Sequence, residues 1–383
     1  MPSLSDIRRS FGPLGWTAFG GPAAHMGYFH TEFVDRKQWV EGSTYADLVA
    51  LSQFLPGPGS SKVGMALGYH RAGLVGMAYS WFWFTFPSAL IMAVFGLALG
   101  RFDFAHSGWI AGLLAAAVGV VLHAVTGMAR KLLYSQLTWA IAIATFAALF
   151  WVPQIAPLVV AGILGALLVH SPADAATASP HLRPVSARLG WGCVIAFFGL
   201  LGLLQLGSQF LGGWWLTRMN AFYQSGALVF GGGHVVLPLL EGRFVESGWL
   251  SQADFLSGYS LAQAMPGPLF TFATYVGAVD GGVVGAVLGT LFIFLPGALL
   301  TLAGLYFWGS WRHSARMRGA FAGINAAVVG LLAHALWDPI TVHGVTGWAT
   351  GLIAAAVFVA LQFFKAPPWS IAVGAATAGM FFL

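Results

Sequence analysis

The triplet Pro-Gly-Pro stands twice inside apolar sequence, at residues 56–58 and again at 266–268. Neither copy fits a continuous helix, because two amide donors are missing and both proline φ angles are pinned. The surroundings match as well. Phe19-Gly20-Gly21 precedes the first triplet and Phe230-Gly231-Gly232 the second, while Gln53 and Gln263 stand three residues before each. Gly73-Leu-Val-Gly76 pairs with Gly282-Val-Val-Gly285, and Phe86-Pro87-Ser-Ala-Leu with Leu295-Pro296-Gly-Ala-Leu. The chain reads as two copies of one unit, punctuated by the same helix breakers.

Lipid is the solvent around these breaks. The 383 residues are 58% hydrophobic and 8% charged, against about 25% charged in a soluble domain. So few charges cannot coat a globule of this size, and the expectation is an all-α polytopic membrane protein whose partner is the bilayer. Bare backbone is costly in lipid and is tolerated where it lines an enclosed or watery cavity. Matched breaks in two halves point to a solute site between the halves. Residues 1–12 do not read as a secretory signal. Cys193 is the only cysteine, which excludes an intrachain disulfide or a thiolate metal cluster. The net charge of +5 is assigned to cytoplasmic loop bias and not to nucleic acid.

Apolar segments fall at about 13–30, 44–69, 72–99, 108–129, 136–151 and 154–169. A polar linker at 170–188 and a segment at 191–210 follow. Six more lie at about 221–240, 255–277, 282–308, 319–337, 345–364 and 368–383. The expected division is a first repeat at 1–170, a linker with its helix at 171–215, and a second repeat at 216–383. With a cytoplasmic N-terminus, Arg71, Arg130, Lys131, Arg183, Arg188, Arg243, Arg312, Arg316, Arg318 and Lys365 face inward, and Arg36, Lys37, Arg101 and Arg218 outward. That bias agrees with the positive-inside rule whether the broken segments cross or re-enter. The seven segments before the second repeat make it begin on the opposite face, so the repeats are expected to be inverted.

Ser60, Ser61 and Lys62 follow Pro56-Gly57-Pro58-Gly59 directly. A helix restarting there offers free amides, a serine cap and the positive end of its dipole, and so an anion site. Lysine at the bilayer centre costs roughly 2.5–3.5 kcal/mol, which asks for a purpose; snorkelling to an interface or pairing with Asp47 is the structural alternative. In the second copy Phe272 aligns with Lys62, leaving Gly267, Thr271 and Thr274 to supply amide and hydroxyls without charge. Gln53 and Gln263 either donate to an oxyanion or satisfy the interrupted backbone. Gly20, Gly21, Gly231 and Gly232 allow close approach of a ligand or of another helix. His25 and His234 lie beside the breaks but are not equivalent. His123 and His334 do align, each four residues after a glycine; a proton relay, a b-type haem, and an interhelical hydrogen bond or a position near the membrane surface are the readings, the last being favoured. No nucleotide-binding loop or His-Glu-x-x-His motif is present, and neither a cofactor nor a metal is expected.

At Phe19-Gly-Gly-Pro22, Gln53-Phe-Leu-Pro-Gly-Pro58 and Gln263-Ala-Met-Pro-Gly-Pro-Leu-Phe-Thr-Phe-Ala-Thr274 the chain resembles the chromate ion transporter family. The likeness is to its long members, in which each half carries one copy of the family domain. The resemblance implies a non-enzymatic exporter of chromate across the inner membrane of a bacterium or archaeon. Sulfate would be a related oxyanion, and coupling would be to the proton motive force. Chromate is a tetrahedral dianion that needs donors from several directions. The competing expectations are an oxyanion channel, a sulfate or molybdate importer, and a membrane haem redox protein. Asp47, His123 and His334 are the proton-coupling candidates, and the many Gly/Ala-rich faces lead to the expectation of a homodimer.

Overall fold

The computed structural model describes residues 4–18, 21–99, 108–152, 155–169, 182–230, 235–311, 314–364, 366 and 368–383. Among these residues every regular element is helical. The first half holds α1 (Leu4–Thr17), α2 (Gly21–His30), α3 (Gly42–Phe54), α4 (Gly59–Leu99), α5 (Gly108–Leu132), α6 (Gln136–Ala148) and α7 (Ile155–Leu168). After α8 (Ala187–Phe210), the second half holds α9 (Trp214–Leu228), α10 (Val236–Phe244), α11 (Gln252–Ala264), α12 (Phe272–Trp311) and α13 (Ala315–Ala335). The short α14 (Val342–Gly344), α15 (Trp348–Gln362) and α16 (Pro368–Phe382) complete it. Five of the helical stretches are long and apolar enough to cross a membrane.

Both Pro-Gly-Pro triplets break their helices as the missing donors require. α3 stops at Phe54 and α4 starts at Gly59; α11 stops at Ala264 and helix resumes at Leu269. Pro87 and Pro296 do not break anything: both lie inside helices. At the first of these, Gly15 of α1 packs where a Cβ would stand 2.5 Å from the Trp83 carbonyl and 3.0 Å from the Pro87 ring. Trp83 is four residues before the proline, so its carbonyl is the one the proline leaves without an intrahelical donor.

α4 and α12 are hairpins and not straight rods. Ala72 (φ −142°, ψ 25°) and Gly73 (φ 66°, ψ −151°) interrupt α4, and Gly281 (φ −141°, ψ 24°) and Gly282 (φ 62°, ψ −148°) interrupt α12. Residues eight apart in a straight helix lie about 12 Å from one another. Here a Cβ on Gly68 would stand 2.4 Å from the Gly76 carbonyl, and one on Gly277 2.0 Å from the Gly285 carbonyl. The legs therefore run back to back, and small residues are what allow the approach. The first leg of α4, residues 59–71, reaches about 20 Å at 1.5 Å per residue, short of a bilayer core of about 30 Å. It is a half-helix.

Each hairpin tip is tied to the first helix of its own half by an ion pair of opposite sense. Arg71 faces Asp6 at 3.8 Å, whereas Asp280 takes a bidentate contact from Arg218 at 2.8 and 2.9 Å. The second pair is largely buried, 11% and 5% exposed.

The chain divides into two compact units, and both draw on both halves. One contains Met1–Leu97, Asp174–Val236 and Pro266–Trp311; the other Ala98–Ala173, Leu237–Met265 and Arg312–Leu383. The first unit has an aromatic core in which Phe11, Phe29, Phe33, Trp39 and Phe84 pack together. The second packs by small residues. Gly112 of α5 sits on Ala375 and Gly379 of α16, and Gly323 of α13 on Ala161 and Gly165 of α7. The fifth helix of each half thus packs on the closing helices of the other.

Candidate functional site

In the first break, Gly57 has φ +105°, a conformation that costs a side-chain-bearing residue roughly 1–2 kcal/mol. Its amide donates to the Val229 carbonyl at 2.6 Å, and a Cβ there would meet the Cα of Gly297 at 3.0 Å. In the second break Gly267, at φ +90°, donates to the Ala18 carbonyl at 2.9 Å. A Cβ on Gly267 would meet Ser88 Oγ at 2.8 Å. The contacts are reciprocal. Ala18 and Val229 each immediately precede a Phe-Gly-Gly, and Ser88 and Gly297 each follow the proline inside a long leg. Each break is fitted into the opposite half of the sequence by the same two contacts.

The first restart carries the donors. The amide of Lys62 makes the first helical bond, to the Pro58 carbonyl at 2.9 Å, so the amides of Gly59, Ser60 and Ser61 precede any intrahelical acceptor. Ser61 Oγ is buried with no hydrogen-bond partner among the described residues. Ser60 Oγ lies 3.1 Å from His25 Nδ1, and His25 Nε2 donates to the Ala18 carbonyl at 2.9 Å. Since Gly267 donates to that same carbonyl, a hydrogen-bonded path runs from the first restart to the second break. Gln53 is exposed, its side-chain amide nitrogen 3.6 Å from where a Gly59 Cβ would stand. Gly57, Ser60, Ser61 and Lys62 are buried, while Gly59 is half-buried, so the break opens at Gln53 and Gly59 and closes toward Gly57.

Lys62 is almost fully buried and donates to the carbonyls of Leu55 and Pro56. Held as an ammonium, it would offset the negative end of α3 and keep one of its three hydrogens beyond these two bonds. Asp47 is half-buried on α3. The second break spends its hydroxyls internally. Thr271 donates to the Pro268 carbonyl at 2.9 Å, and Thr274 meets Thr290 at 2.7 Å across the hairpin, Thr290 in turn donating to the Ala286 carbonyl. The donor set is asymmetric, as the alignment of Phe272 with Lys62 anticipates.

Other candidates lie elsewhere. Gly21 has φ +73° at the start of α2, while Gly20, Gly231, Gly232 and His234 fall outside the described residues. Gln263, in the second unit, hydrogen-bonds Tyr259. His123 donates from Nδ1 to Gln362 Oε1 at 3.0 Å, an interhelical bond. His334 packs on Phe150 with ring centroids 4.6 Å apart. It lines a cavity of about 630 Å³ in the second unit with Glu241, Arg243, Glu246 and Asp338. Three carboxyl groups face one guanidinium there, so the lining offers no net positive charge to attract a dianion. The link made by His25 and this cavity carry no sequence signal of their own, because each depends on helices far apart in the chain.

The chromate transporter family model matches residues 5–169 and again 216–380. The chain is 28% identical to a chromate transport protein of Pseudomonas aeruginosa over 86% of this chain and 79% of that one. It is 27% identical to a chromate transport protein of Cupriavidus metallidurans over 99% and 93%, and 28% identical to a probable chromate transport protein of Synechococcus elongatus over 92% and 89%. No solved structure matches. With the family model covering most of both halves, this multi-pass membrane chain belongs to the chromate transporter family and is a transport protein, not an enzyme.

Proposed function

We propose that the protein exports chromate, with sulfate as a related oxyanion, by alternating access at the first Pro-Gly-Pro restart and the break fitted beside it, coupled to the proton motive force. Membership of the family and the names of the relatives support chromate transport in general. The observation that carries the site is Ser61: a buried hydroxyl without a partner among the described residues, at the amino end of a half-helix, next to the buried Lys62 side chain. An unpaired hydroxyl in an apolar setting costs about 1–3 kcal/mol, and a bound oxyanion would remove that cost. First-turn amides and Ser61 supply donors, and Lys62 supplies partial charge compensation. One ammonium against a dianion leaves binding loose enough for release.

In this reading the halves are inverted repeats, bounded at 1–170 and 216–383 around the helix of 171–215, with the N-terminus cytoplasmic. The charge-swapped hairpin tips support that arrangement. Arg71, with Arg183 beside Gly73, would mark a cytoplasmic tip, and Asp280 an outer one. Rocking of one repeat against the other would then open the site alternately.

Equilibrium binding of chromate to purified wild type and Ser61→Ala tests the site. A hydrogen bond to a charged group contributes about 1.5–3 kcal/mol, so the variant should bind chromate about tenfold or more weakly. Its melting temperature should not fall, because Ser61 Oγ holds no partner among the described residues. Unchanged affinity would remove Ser61 from the site and with it the main support for this location.

A further inference from the structure

The imidazole of His25 is fully buried, links Ala18, just past α1, to the first leg of α4, and shares an acceptor with the second break. Hydrogen-bond chemistry fixes its neutral form. A carbonyl only accepts, so Nε2 carries the hydrogen that goes to Ala18, and Nδ1 is then an acceptor. Ser60 consequently gives its single hydroxyl hydrogen to His25. In that state Ser60 has no hydrogen left for an anion.

We propose that His25 is a proton-responsive positioning residue of the oxyanion site: a proton on Nδ1 turns Ser60 from a donor to the ring into a donor to the anion. The inference rests on the site proposed above. Once Nδ1–H donates to Ser60 Oγ, the hydroxyl hydrogen is released toward the restart of α4, beside Ser61. The charged ring also needs a counter-charge. α1 carries Asp6, Arg8 and Arg9 in its first two turns, far along the helix from Ala18. α2 ends in His30, paired with Asp35 at 3.3 Å. From α3 come Asp47, half-buried, and Tyr45, whose hydroxyl donates to the Met26 carbonyl. From the first leg of α4 comes Lys62, which holds Leu55 and Pro56. The second leg presents the uncharged ring of Phe84, 5.3 Å away, and residues 266–279 bring Tyr275 and no charge. The partners of the ring itself are a carbonyl, a hydroxyl and an aromatic face. The arriving dianion is the counter-charge, so proton and oxyanion bind with positive and reciprocal coupling.

The sign follows directly. Chromate affinity rises as pH falls, approaching tenfold per pH unit where one proton accompanies each anion. Chromate binding to the purified full-length protein, followed across the neutral pH range for wild type, His25→Gln and Ser60→Ala, is the test. Any dependence that comes from protonation of chromate itself persists in all three proteins. Wild type should show an additional dependence that His25→Gln loses and Ser60→Ala reduces, with the affinities converging at high pH. Ser60→Ala keeps the bond from His25 to Ala18, so it decides the matter where His25→Gln fails to fold. A pH profile in the variants identical to that of wild type overturns the histidine link while leaving the site intact. Absence of chromate binding by wild type at every pH overturns the site and the link together.

Discussion

Gly57 and Gly59 lie two residues apart in the first break and face opposite constraints. Gly57 combines φ +105° with the Cα of Gly297 in its path, whereas a Cβ on Gly59 meets only the end of the Gln53 side chain at 3.6 Å. Gly57→Ala should lower stability by about 1–3 kcal/mol and impair chromate binding, and Gly59→Ala should be tolerated in both respects. Thermal unfolding in detergent with parallel binding measurements checks this, and equal tolerance of the two would contradict the packing. At this scale the sequence was legible where chemistry is local. Pro-Gly-Pro announces a break, and the serines after it announce a restart. It was not legible where partners are distant. Nothing near Lys62 says that its ammonium turns back to Leu55 and Pro56, and His25 looked unpaired because its partners, Ala18 and Ser60, are not histidines.

Hairpins are the elements on which the proposed site is built, since the first leg of each carries a restart and the second leg receives the opposite break. Their tips are held by ion pairs, and the Arg218–Asp280 pair is largely buried with bidentate geometry. Removing one partner of such a pair costs about 3–5 kcal/mol. Asp280→Asn should therefore melt markedly earlier than wild type, and Arg218→Asp combined with Asp280→Arg should regain part of the loss. A double variant no better than the worse single one would show that the pair does not tie the tip. The limits of the apolar segments at 69/72 and 277/282 fell close to the true interruptions because Gly-rich punctuation is local. That the legs reverse and pack could not be read there. Glycine pairs permit a reversal without requiring it, and the close approach of Gly68 to Gly76 becomes visible only in three dimensions. Pro87 and Pro296 misled for a related reason: a proline inside a helix is tolerated where a neighbour such as Gly15 fits against the exposed turn.

The whole molecule interleaves its halves. Both compact units contain segments from each, and the reciprocal bonds of Gly57 with Val229 and of Gly267 with Ala18 hold one of them together. Membrane class and twofold internal similarity were readable from composition and from the spacing of about 210 residues between like motifs. The exchange of closing helices was not, because Gly/Ala-rich faces state that a helix packs closely without naming its partner. In the proposed function the arrangement is a carrier: one small anion would be held at the restart of α4 and passed across by movement of the repeats. Uptake of chromate into inside-out membrane vesicles carrying the protein tests that most directly, with sulfate and molybdate as competitors and with the proton motive force imposed or collapsed. The account predicts saturable accumulation in energised vesicles, competition by sulfate, and loss of accumulation when the force is collapsed. Accumulation no greater than in vesicles lacking the protein, or a flux indifferent to the force, would contradict it.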